Sequence, residues 1–307
     1  HILNKYSDYQ VINIDALTYC GNLENLKDVE NNPNYKFVHG NICDRKLVRE
    51  LVSEVDCIVN FAAESHVDNS IKHPEVFIET NVQGTLNLLQ SAKEIGIERY
   101  LQVSTDEVYG TLGKTGYFYE TTPLAPNSPY SASKASADML VRAFYETYKL
   151  PVLTTRCSNN YGPYQYPEKL IPFFISRLLN GEKVPVYGDG LNVRDWLYVY
   201  DHCAAIDTVL HKGRIGEVYN VGGHNEKTNM EITHLILDAM GKDESSIEYV
   251  QDRLGHDRRY AISNDKITSE LGWEPSVTFE QGIKMTIDWY LNNQAWIEHI
   301  EAKKVGV

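Results

Sequence analysis

The sequence has few of the features that would place a protein in a membrane or on nucleic acid. Its 307 residues contain no signal-like start and no apolar run near the roughly 18 residues of a membrane span. Lysine and arginine number 29 against 42 aspartates and glutamates, so the net charge is −13. Binding to nucleic acid through phosphate neutralisation is therefore not expected, and no membrane association is expected either.

Cysteine is scarce and shows no pattern. The five cysteines are odd in number and form no CxxC, and the ten histidines lack metal-ligand spacing. This argues against disulfides and against a zinc site. We expect a cytoplasmic protein, in a reducing compartment and without a metal.

Short β-branched runs alternate with helix-like segments through the first half of the chain. This alternation predicts an α/β fold with a doubly wound parallel sheet of the Rossmann type, covered by helices on both faces. The predicted strands cover residues 10–15, 36–39, 57–61, 100–105 and 152–156, and the longest helices between them cover 75–95 and 131–149.

The pattern changes after about residue 163, which predicts a second, smaller domain of mixed α/β type. We place the domains at 1–165 and 166–307, with segments around 195–225 returning to the first domain. The second part has a short strand and turn, VPVYGDG, and predicted helices over 169–180, 201–211, 230–240 and 279–292.

The opening residues lack a feature that dinucleotide-binding folds need. Such folds begin with a strand, a glycine-rich turn and a helix whose N-terminus holds the pyrophosphate. No glycine-rich turn joins an opening strand to a helix here, and HILNKYSDYQ is typical of a last helical turn before a strand. We expect that the first strand and its glycine turn are missing from this sequence and that the chain as given binds a dinucleotide weakly. The alternative is a fold that does without the turn.

Asp15 closes the first predicted strand. In dinucleotide folds an acid at this kind of position accepts hydrogen bonds from ribose hydroxyls and repels a 2′-phosphate, which favours NAD over NADP. A loop or capping aspartate is the plain alternative. Small or polar residues follow the next two strands at the same predicted edge, where a flat nucleotide could approach: Asn41-Ile42 and Phe61-Ala62-Ala63.

Tyr130 and Lys134 stand four residues apart in PYSASKAS. On a helix they share one face, and a nearby ammonium is expected to lower the pKa of the tyrosine and make it a usable base. A chance pair on a helix surface is the alternative. The preceding strand ends in Ser104-Thr105, whose hydroxyls could share a substrate proton.

Several longer motifs, in their order along the chain, resemble the extended short-chain dehydrogenase/reductase superfamily. They are DALTYCGN, AAESHVD, STDEVYG, YSASK, RCSNNYGP and RLGHDRRYAI. Within the superfamily the chain is similar, over nearly its whole length, to the dTDP-glucose 4,6-dehydratase family. The resemblance implies NAD binding by 1–165, nucleotide-sugar binding by 166–307, a role in dTDP-rhamnose biosynthesis, and a homodimer paired through helices 75–95 and 131–149.

The resemblance implies a lyase that converts dTDP-glucose to dTDP-4-keto-6-deoxyglucose. Tyr130, tuned by Lys134, would take the O4 proton while the C4 hydride moves to NAD, with Thr105 orienting O4. Glu107 would remove the C5 proton and Asp106 would protonate the leaving C6 hydroxyl, before hydride returns to C6. Neighbouring carboxyls in a pocket of low dielectric raise a pKa, which helps one of them stay protonated.

Binding residues follow from the same resemblance. Cofactor contacts are implied for Asp15, Ala16, Leu17, Thr18, Asn41, Ile42, Phe61, Ala62, Ala63, Ser65, Thr80, Tyr130, Lys134 and Asn160. Substrate contacts are implied for Ser65, Thr105, Asn159, Lys169, Leu170, Pro185, Tyr187, Arg194, Asn229, Arg253 and His256. The fixed fork of donors on arginine suits the oxygens of a diphosphate.

Two other functions stay open at this point. One is a nucleotide-sugar 4-epimerase or a 4,6-dehydratase for another nucleotide sugar. The other is a dinucleotide-binding sensor or scaffold without catalysis. The adjacent carboxyls Asp106 and Glu107 favour elimination over epimerisation, and a protein that only binds a dinucleotide has no need of them together with Tyr130 and Lys134.

Overall fold

The computed structural model describes residues 1–305 and has an α/β architecture. The strands in chain order are β1 (Val11–Asp15), β2 (Tyr35–His39), β3 (Cys57–Asn60), β4 (Arg99–Thr105), β5 (Val152–Cys157), β6 (Asn159–Tyr161), β7 (Val184–Tyr187), β8 (Val193–Tyr198), β9 (Val218–Val221), β10 (Glu226–Thr228) and β11 (Ile247–Val250). The helices are α1 (Ile2–Lys5), α2 (Arg45–Val52), α3 (Val67–Lys72), α4 (Pro74–Phe77), α5 (Thr85–Ile95), α6 (Pro129–Tyr148), α7 (Leu170–Leu179), α8 (Val199–Lys212), α9 (Asn229–Ala239), α10 (Asp265–Leu271), α11 (Phe279–Asn292) and α12 (Gln294–Val305). The five strands predicted in the first half are all present.

Parallel strands organise the first half of the chain. β1 pairs with β2, and β3, β4, β5 and β9 form a second sheet in that order, with every pair parallel. Parallel neighbours need a crossover connection, and α6 supplies it between β4 and β5. The carboxyl ends of β3, β4 and β5 therefore meet at one edge, where sheets of this kind bind ligands. The predicted Rossmann-type class is confirmed.

Both faces of the second sheet are covered, so most residues of its central strands are buried, including polar ones such as Gln102 and Thr155. Successive residues of β4 point to opposite faces. Tyr100 joins a core cluster with Leu89 of α5 and Val141 of α6, whereas Leu101 joins another with Val209 of α8. Burial of one such apolar side chain contributes about 1.5–3 kcal/mol.

Some elements of the later part of the chain join the second sheet, and the others form a separate group of strands and helices. β9 pairs with β5 in the second sheet, and α8 packs beside it. β6, β8 and β10 form a mixed sheet, β7 pairs with β11, and a separate core cluster joins these strands to α7, α9, α11 and α12. A domain boundary near residue 165 stays a prediction.

The helix predicted over 75–95 is interrupted, so the expectation of one α-helical stretch was wrong. A π-helical segment, Ile78–Gly84, separates α4 from α5. Asn81 in this segment is buried, and its side chain bonds both the amide and the carbonyl of Glu64 and donates to Ser133. The wider turn thus lets one amide side chain hold the loop after β3, a role that apolar periodicity does not reveal.

Three glycines, Gly110, Gly113 and Gly116, have the GxxGxxG spacing but not the structure of a dinucleotide-binding turn. They lie in an irregular loop well before α6. The carbonyl oxygens of Gly113 and Gly116 accept hydrogen bonds from Arg259 Nη1 at 3.0 and 3.1 Å. The loop therefore turns carbonyls, and not amides, toward a charged group.

No helix in the described part of the chain is long and apolar enough to span a membrane.

Candidate active site

A cleft of about 680 Å³ opens at the carboxyl ends of β3, β4 and β5. Every predicted catalytic and substrate-binding residue lines it: Ser65, Thr105, Asp106, Glu107, Tyr130, Lys134, Asn159, Lys169, Leu170, Pro185, Tyr187, Arg194, Asn229, Arg253 and His256. Besides Ser65, Tyr130 and Lys134, three further predicted cofactor residues line it, namely Phe61, Ala63 and Asn160. The tertiary structure thus brings together side chains from both halves of the chain.

The two carboxyls lie where β4 ends and a single 3-10 turn, Asp106–Tyr109, begins. The Thr105 hydroxyl caps this turn by accepting a hydrogen bond from the Glu107 amide at 3.2 Å. Asp106 is 1% exposed, and its Oδ2 has no hydrogen-bond partner among the described residues. The local cap therefore fixes the direction of both side chains as the chain leaves the sheet.

Burial separates the chemistry of the two carboxyls. Burial and the negative charge of Glu107 raise the pKa of Asp106 well above its ordinary value, although Arg194 partly opposes the rise. Burial also raises the pKa of Glu107, while the nearby cations Arg194, Lys169 and Arg253 lower it. Asp106 is thus suited to keep a proton and donate it, and Glu107 to accept one.

The tyrosine and lysine lie at the start of α6. Ser128 caps this helix through a reciprocal pair of bonds with Ser131, which fixes the first turn that carries Tyr130. Lys134 follows one turn later and is also buried, and its Nζ donates to the carbonyl of Val103 at 2.8 Å. The predicted i, i+4 arrangement is therefore present on a buried face of the helix.

The expected lowering of the Tyr130 pKa is wrong for this structure. Burial and the negative charge of Glu107 raise the pKa of Tyr130 well above its ordinary value, and a hydrogen bond with Thr105 opposes the rise. Burial also lowers the pKa of Lys134, whose Nζ is engaged with a backbone carbonyl. Spacing alone predicted a lysine on the same helix face as the phenol but could not predict the loss of solvation, which is the largest cause of the raised pKa of Tyr130.

Two arginines, Arg194 and Arg253, line the cleft. Arg194 of β8 donates to the carbonyls of Val193 and Asp257 at 2.8 and 2.9 Å, and its guanidinium lies 4.4 Å from the ring centroid of Tyr260. Arg253 forms a bidentate ion pair with Asp68 of α3. Both arginines are thus held in place by the protein, as a preorganised anion site requires.

Asn159 and Asn160 form part of β6, a strand that the sequence did not predict. β6 pairs in parallel with β8. His202 Nδ1 donates to Asn160 Oδ1 at 2.8 Å, and burial lowers the pKa of His202 to about 4, so this histidine is neutral at physiological pH. On the facing wall, Lys169 Nζ donates to the carbonyl of Ser65 at 3.0 Å.

The other predicted cofactor residues do not line the cleft: Asp15, Ala16, Leu17, Thr18, Asn41, Ile42, Ala62 and Thr80. Asp15 is exposed at the end of β1, and its Oδ1 accepts from the amide of Leu17 at 2.7 Å. Asn41 Oδ1 accepts from the amide of Cys43 at 2.8 Å, and Ile42 is buried in the core. Thr80 lies in the π-helical segment.

The sequence pattern of the GDP-mannose 4,6 dehydratase family matches residues 1–286. The chain belongs to this family. It is 58% identical over 311 residues to a protein named dTDP-glucose 4,6-dehydratase from Xanthomonas campestris pv. campestris (strain B100), covering 95% of this chain and 89% of the relative.

Solved structures of other members of the superfamily share the fold of this dehydratase-family chain. DesIV, a dTDP-glucose 4,6-dehydratase from Streptomyces venezuelae with NAD and TYD bound, has 52% identity and a TM-score of 0.93, covering 95% of this chain and 90% of that one. The dTDP-glucose 4,6-dehydratase of Bacillus anthracis in complex with NAD has 57% identity and a TM-score of 0.91, covering 97% and 93%. A UDP-glucose 4-epimerase from Thermotoga maritima has 31% identity and a TM-score of 0.88, covering 96% and 95%.

Residues of this family member fit a nicotinamide dinucleotide. Among the described residues the Asp15 carboxylate accepts one hydrogen bond, from the amide of Leu17, so it retains acceptor capacity for ribose hydroxyls. Phe61 presents an exposed ring at the end of β3, and Lys134 and Tyr130 lie across the same cleft. These groups would hold the ribose and the nicotinamide end of the cofactor.

Sequence reasoning missed several polar residues in and beside the cleft. Asp68 pairs with Arg253, Glu168 accepts from Tyr19 at 3.0 Å, and Tyr260 donates to Asp257 at 2.5 Å. Two signals were present, since Asp68 ends AAESHVD and Tyr260 lies in RLGHDRRYAI. The partner of Tyr260 lies within its own motif, but the motif that contains Asp68 could not assign its partner, which lies 185 residues away.

Proposed function

We propose that the protein is a hydro-lyase that catalyses the NAD-dependent dehydration of dTDP-glucose to dTDP-4-keto-6-deoxyglucose. The observation that carries this proposal is the placement of Asp106 and Glu107 in the same cleft as Tyr130 and Lys134. An enzyme that only oxidises and reduces C4 would need the tyrosine and the lysine, but not two carboxyls. The high identity to proteins named dTDP-glucose 4,6-dehydratase supports the choice of substrate.

The first step is oxidation at C4. Tyr130 accepts the O4 proton, and Thr105, which lines the same cleft, orients O4. The chemistry supplied by bound NAD is reversible hydride acceptance, together with a positive ring charge that opposes the rise in the Tyr130 pKa. Lys134 holds its positive charge on the same face of α6.

The second step is loss of water across C5 and C6. The new 4-ketone acidifies C5, and Glu107 removes that proton. Asp106, whose raised pKa keeps it protonated, transfers its proton to the departing C6 hydroxyl, which leaves as water. Hydride returns to C6 and a proton returns to C5, so the substrate loses one water and the cofactor regains its oxidised form.

The far end of the cleft suits the nucleotide. Lys169 and Tyr187 would hold the thymine and its deoxyribose, and Arg194 and Arg253 would hold the diphosphate. His256 lies beside the Tyr187 ring, 6.3 Å between ring centroids. These assignments agree with the preference of phosphate oxygens for arginine donors.

The assembly proposed is a homodimer. Exposed apolar side chains lie on α4 and the π-helical segment, at Val76 and Ile78, and on α6, at Met139 and Tyr148. Exposed apolar groups on two neighbouring helices are typical of an interface between protein subunits. Light scattering that gave a monomer at every concentration would contradict this assembly.

We also propose a cytoplasmic location, an NAD-binding domain over 1–165 and a nucleotide-sugar-binding domain over 166–307.

The test is a mass measurement. The protein is incubated with NAD and dTDP-glucose, with UDP-glucose and GDP-mannose as alternative substrates, and the products are examined for loss of one water. Deuterium placed at C4 of the substrate should appear at C6 of the product, and reaction in heavy water should place deuterium at C5. A product that keeps its water and has inverted C4 would instead identify a 4-epimerase.

A further inference from the structure

The carboxylate of Asp68 joins two walls of the cleft that lie far apart in the sequence. Asp68 belongs to α3, which follows β3, whereas Arg253 lies in the loop that follows β11. Asp68 Oδ1 accepts from Arg253 Nε at 2.6 Å and Oδ2 accepts from Nη2 at 2.9 Å. The two side chains are 27% and 22% exposed, so the pair is mostly shielded from solvent.

This pairing uses only one edge of the guanidinium. Nε and one hydrogen of Nη2 point at Asp68, while Nη1 has no hydrogen-bond partner among the described residues. A guanidinium has five N–H donors in a fixed plane, so the edge formed by Nη1 and the second hydrogen of Nη2 stays available for another anion. The group also lies 5.2 Å from the ring centroid of Tyr187, which restricts its position further.

Further along, the loop is tied to the first half of the chain through Asp257, which accepts from Thr111 and Asn127, but among the described residues the Arg253 side chain forms hydrogen bonds only with Asp68. The neighbouring bonds of Arg253 are local, because Asp252 accepts from the Arg253 amide and from His256. Leu254 is exposed and Gly255 has a φ of +64°. The ion pair with Asp68 therefore sets where this guanidinium stands relative to the facing wall.

We propose that Asp68 is a positioning residue for substrate binding, which holds Arg253 so that the free edge of its guanidinium meets the diphosphate of the nucleotide sugar. This inference rests on the proposed function. Its physical basis is that a long arginine side chain loses conformational freedom on binding, and the ion pair removes that freedom before the ligand arrives. Hydrogen bonds to Arg253 and Tyr187 lower the pKa of Asp68 against the effect of its burial, so it is ionised at neutral pH.

The sign of the charge provides a discriminating test. Asp68 is negative and lies next to the place proposed for a diphosphate, so without Arg253 it would repel the ligand. If Asp68 acts through Arg253, replacing Asp68 must weaken the binding of dTDP only when Arg253 is present. A double-mutant cycle measures this coupling directly.

The experiment compares Asp68→Asn, Asp68→Glu, Arg253→Ala and the double variant Asp68→Asn/Arg253→Ala. The matched control is Asp189→Asn. Asp189 forms a bidentate pair at 2.8 and 3.1 Å with Arg258, which lies on the same loop as Arg253, and this pair is exposed and outside the cleft. Binding of dTDP to the NAD-loaded protein is measured by calorimetry, with kcat and KM for dTDP-glucose, the affinity for NAD and Tm.

Asp68→Asn should weaken dTDP binding about tenfold, raise KM by a similar factor and leave kcat and NAD affinity unchanged, since a bond to a charged group contributes on this scale. Asp68→Glu, which keeps the charge, should recover part of the loss. In the Arg253→Ala background Asp68→Asn should cause no further loss, and Asp189→Asn should match the unmodified protein.

Unchanged dTDP affinity in both Asp68 variants would overturn the inference. So would additive losses in the double variant, or a fall in kcat at constant KM. A failure of the proposed function would give a different result: the unmodified protein would neither bind dTDP nor convert dTDP-glucose. That result would remove the basis of this inference as well.

Discussion

Replacing Glu107 by glutamine should separate the two halves of the proposed reaction. The carboxylate of Glu107 makes no hydrogen bond to any described residue; the bonds of Glu107 are those of its backbone, whose amide donates to Thr105 and whose carbonyl accepts from the amide of Gly110. Glutamine has nearly the same shape, so we expect the free energy of unfolding to change by less than about 0.5 kcal/mol. What the substitution removes is the base that takes the C5 proton.

The size of the effect follows from the role of the group. A positioned general base contributes about 10²–10⁴-fold to a rate, so loss of water should slow by that factor, which corresponds to about 3–5 kcal/mol of activation free energy. Oxidation at C4 should persist because Tyr130 and Lys134 are unchanged. The negative charge of Glu107 raises the pKa of Tyr130, so neutral glutamine lowers that pKa. The pH at which C4 oxidation reaches half its maximal rate should therefore move to lower pH.

The assay is a single turnover with enzyme in excess over dTDP-glucose. NADH absorbance reports oxidation, and mass spectrometry of quenched samples reports loss of water. The Glu107→Gln protein should accumulate NADH and a 4-keto sugar that retains its C6 hydroxyl, whereas Glu248→Gln, at an exposed position of β11, should behave like the unmodified protein. Unimpaired water loss by Glu107→Gln would refute the assignment of Glu107 as the C5 base.

Three further changes test other parts of the structure. Asp106→Asn should slow water loss about 10²–10⁴-fold with C4 oxidation largely retained, in the same quenched assay; equal slowing of both steps would contradict its role as the acid. Asp15→Ala should reduce the preference for NAD over NADP in dissociation constants, and equal affinities in the unmodified protein would count against the assignment. Asp138→Ala leaves the buried Arg156 without its ion partner at 2.9 Å, so the free energy of unfolding measured in urea should fall by about 3–5 kcal/mol. A fall of less than about 1 kcal/mol would show that the surroundings of Arg156 relax to compensate.

Local patterns in the sequence determined the fold class and most of the candidate site. Parallel strands that are covered on both faces are rich in apolar and β-branched residues, so β4 and β5 could be recognised from runs of a few residues although polar residues interrupt both. The i, i+4 spacing placed Tyr130 and Lys134 on one helix face, and the end of β4 placed Asp106 and Glu107 beside them. Each of these predictions uses only residues near one another in the chain.

The tertiary structure alone decided which distant residues meet and what that does to them. β9 lies beside β5, and Asp68 pairs with Arg253, although long stretches of chain separate the partners. The π-helical segment exists where Asn81 holds another loop, which apolar periodicity does not record. The raised pKa of Tyr130 has the same origin, since desolvation depends on the whole set of elements packed around a side chain and not on its neighbours in sequence.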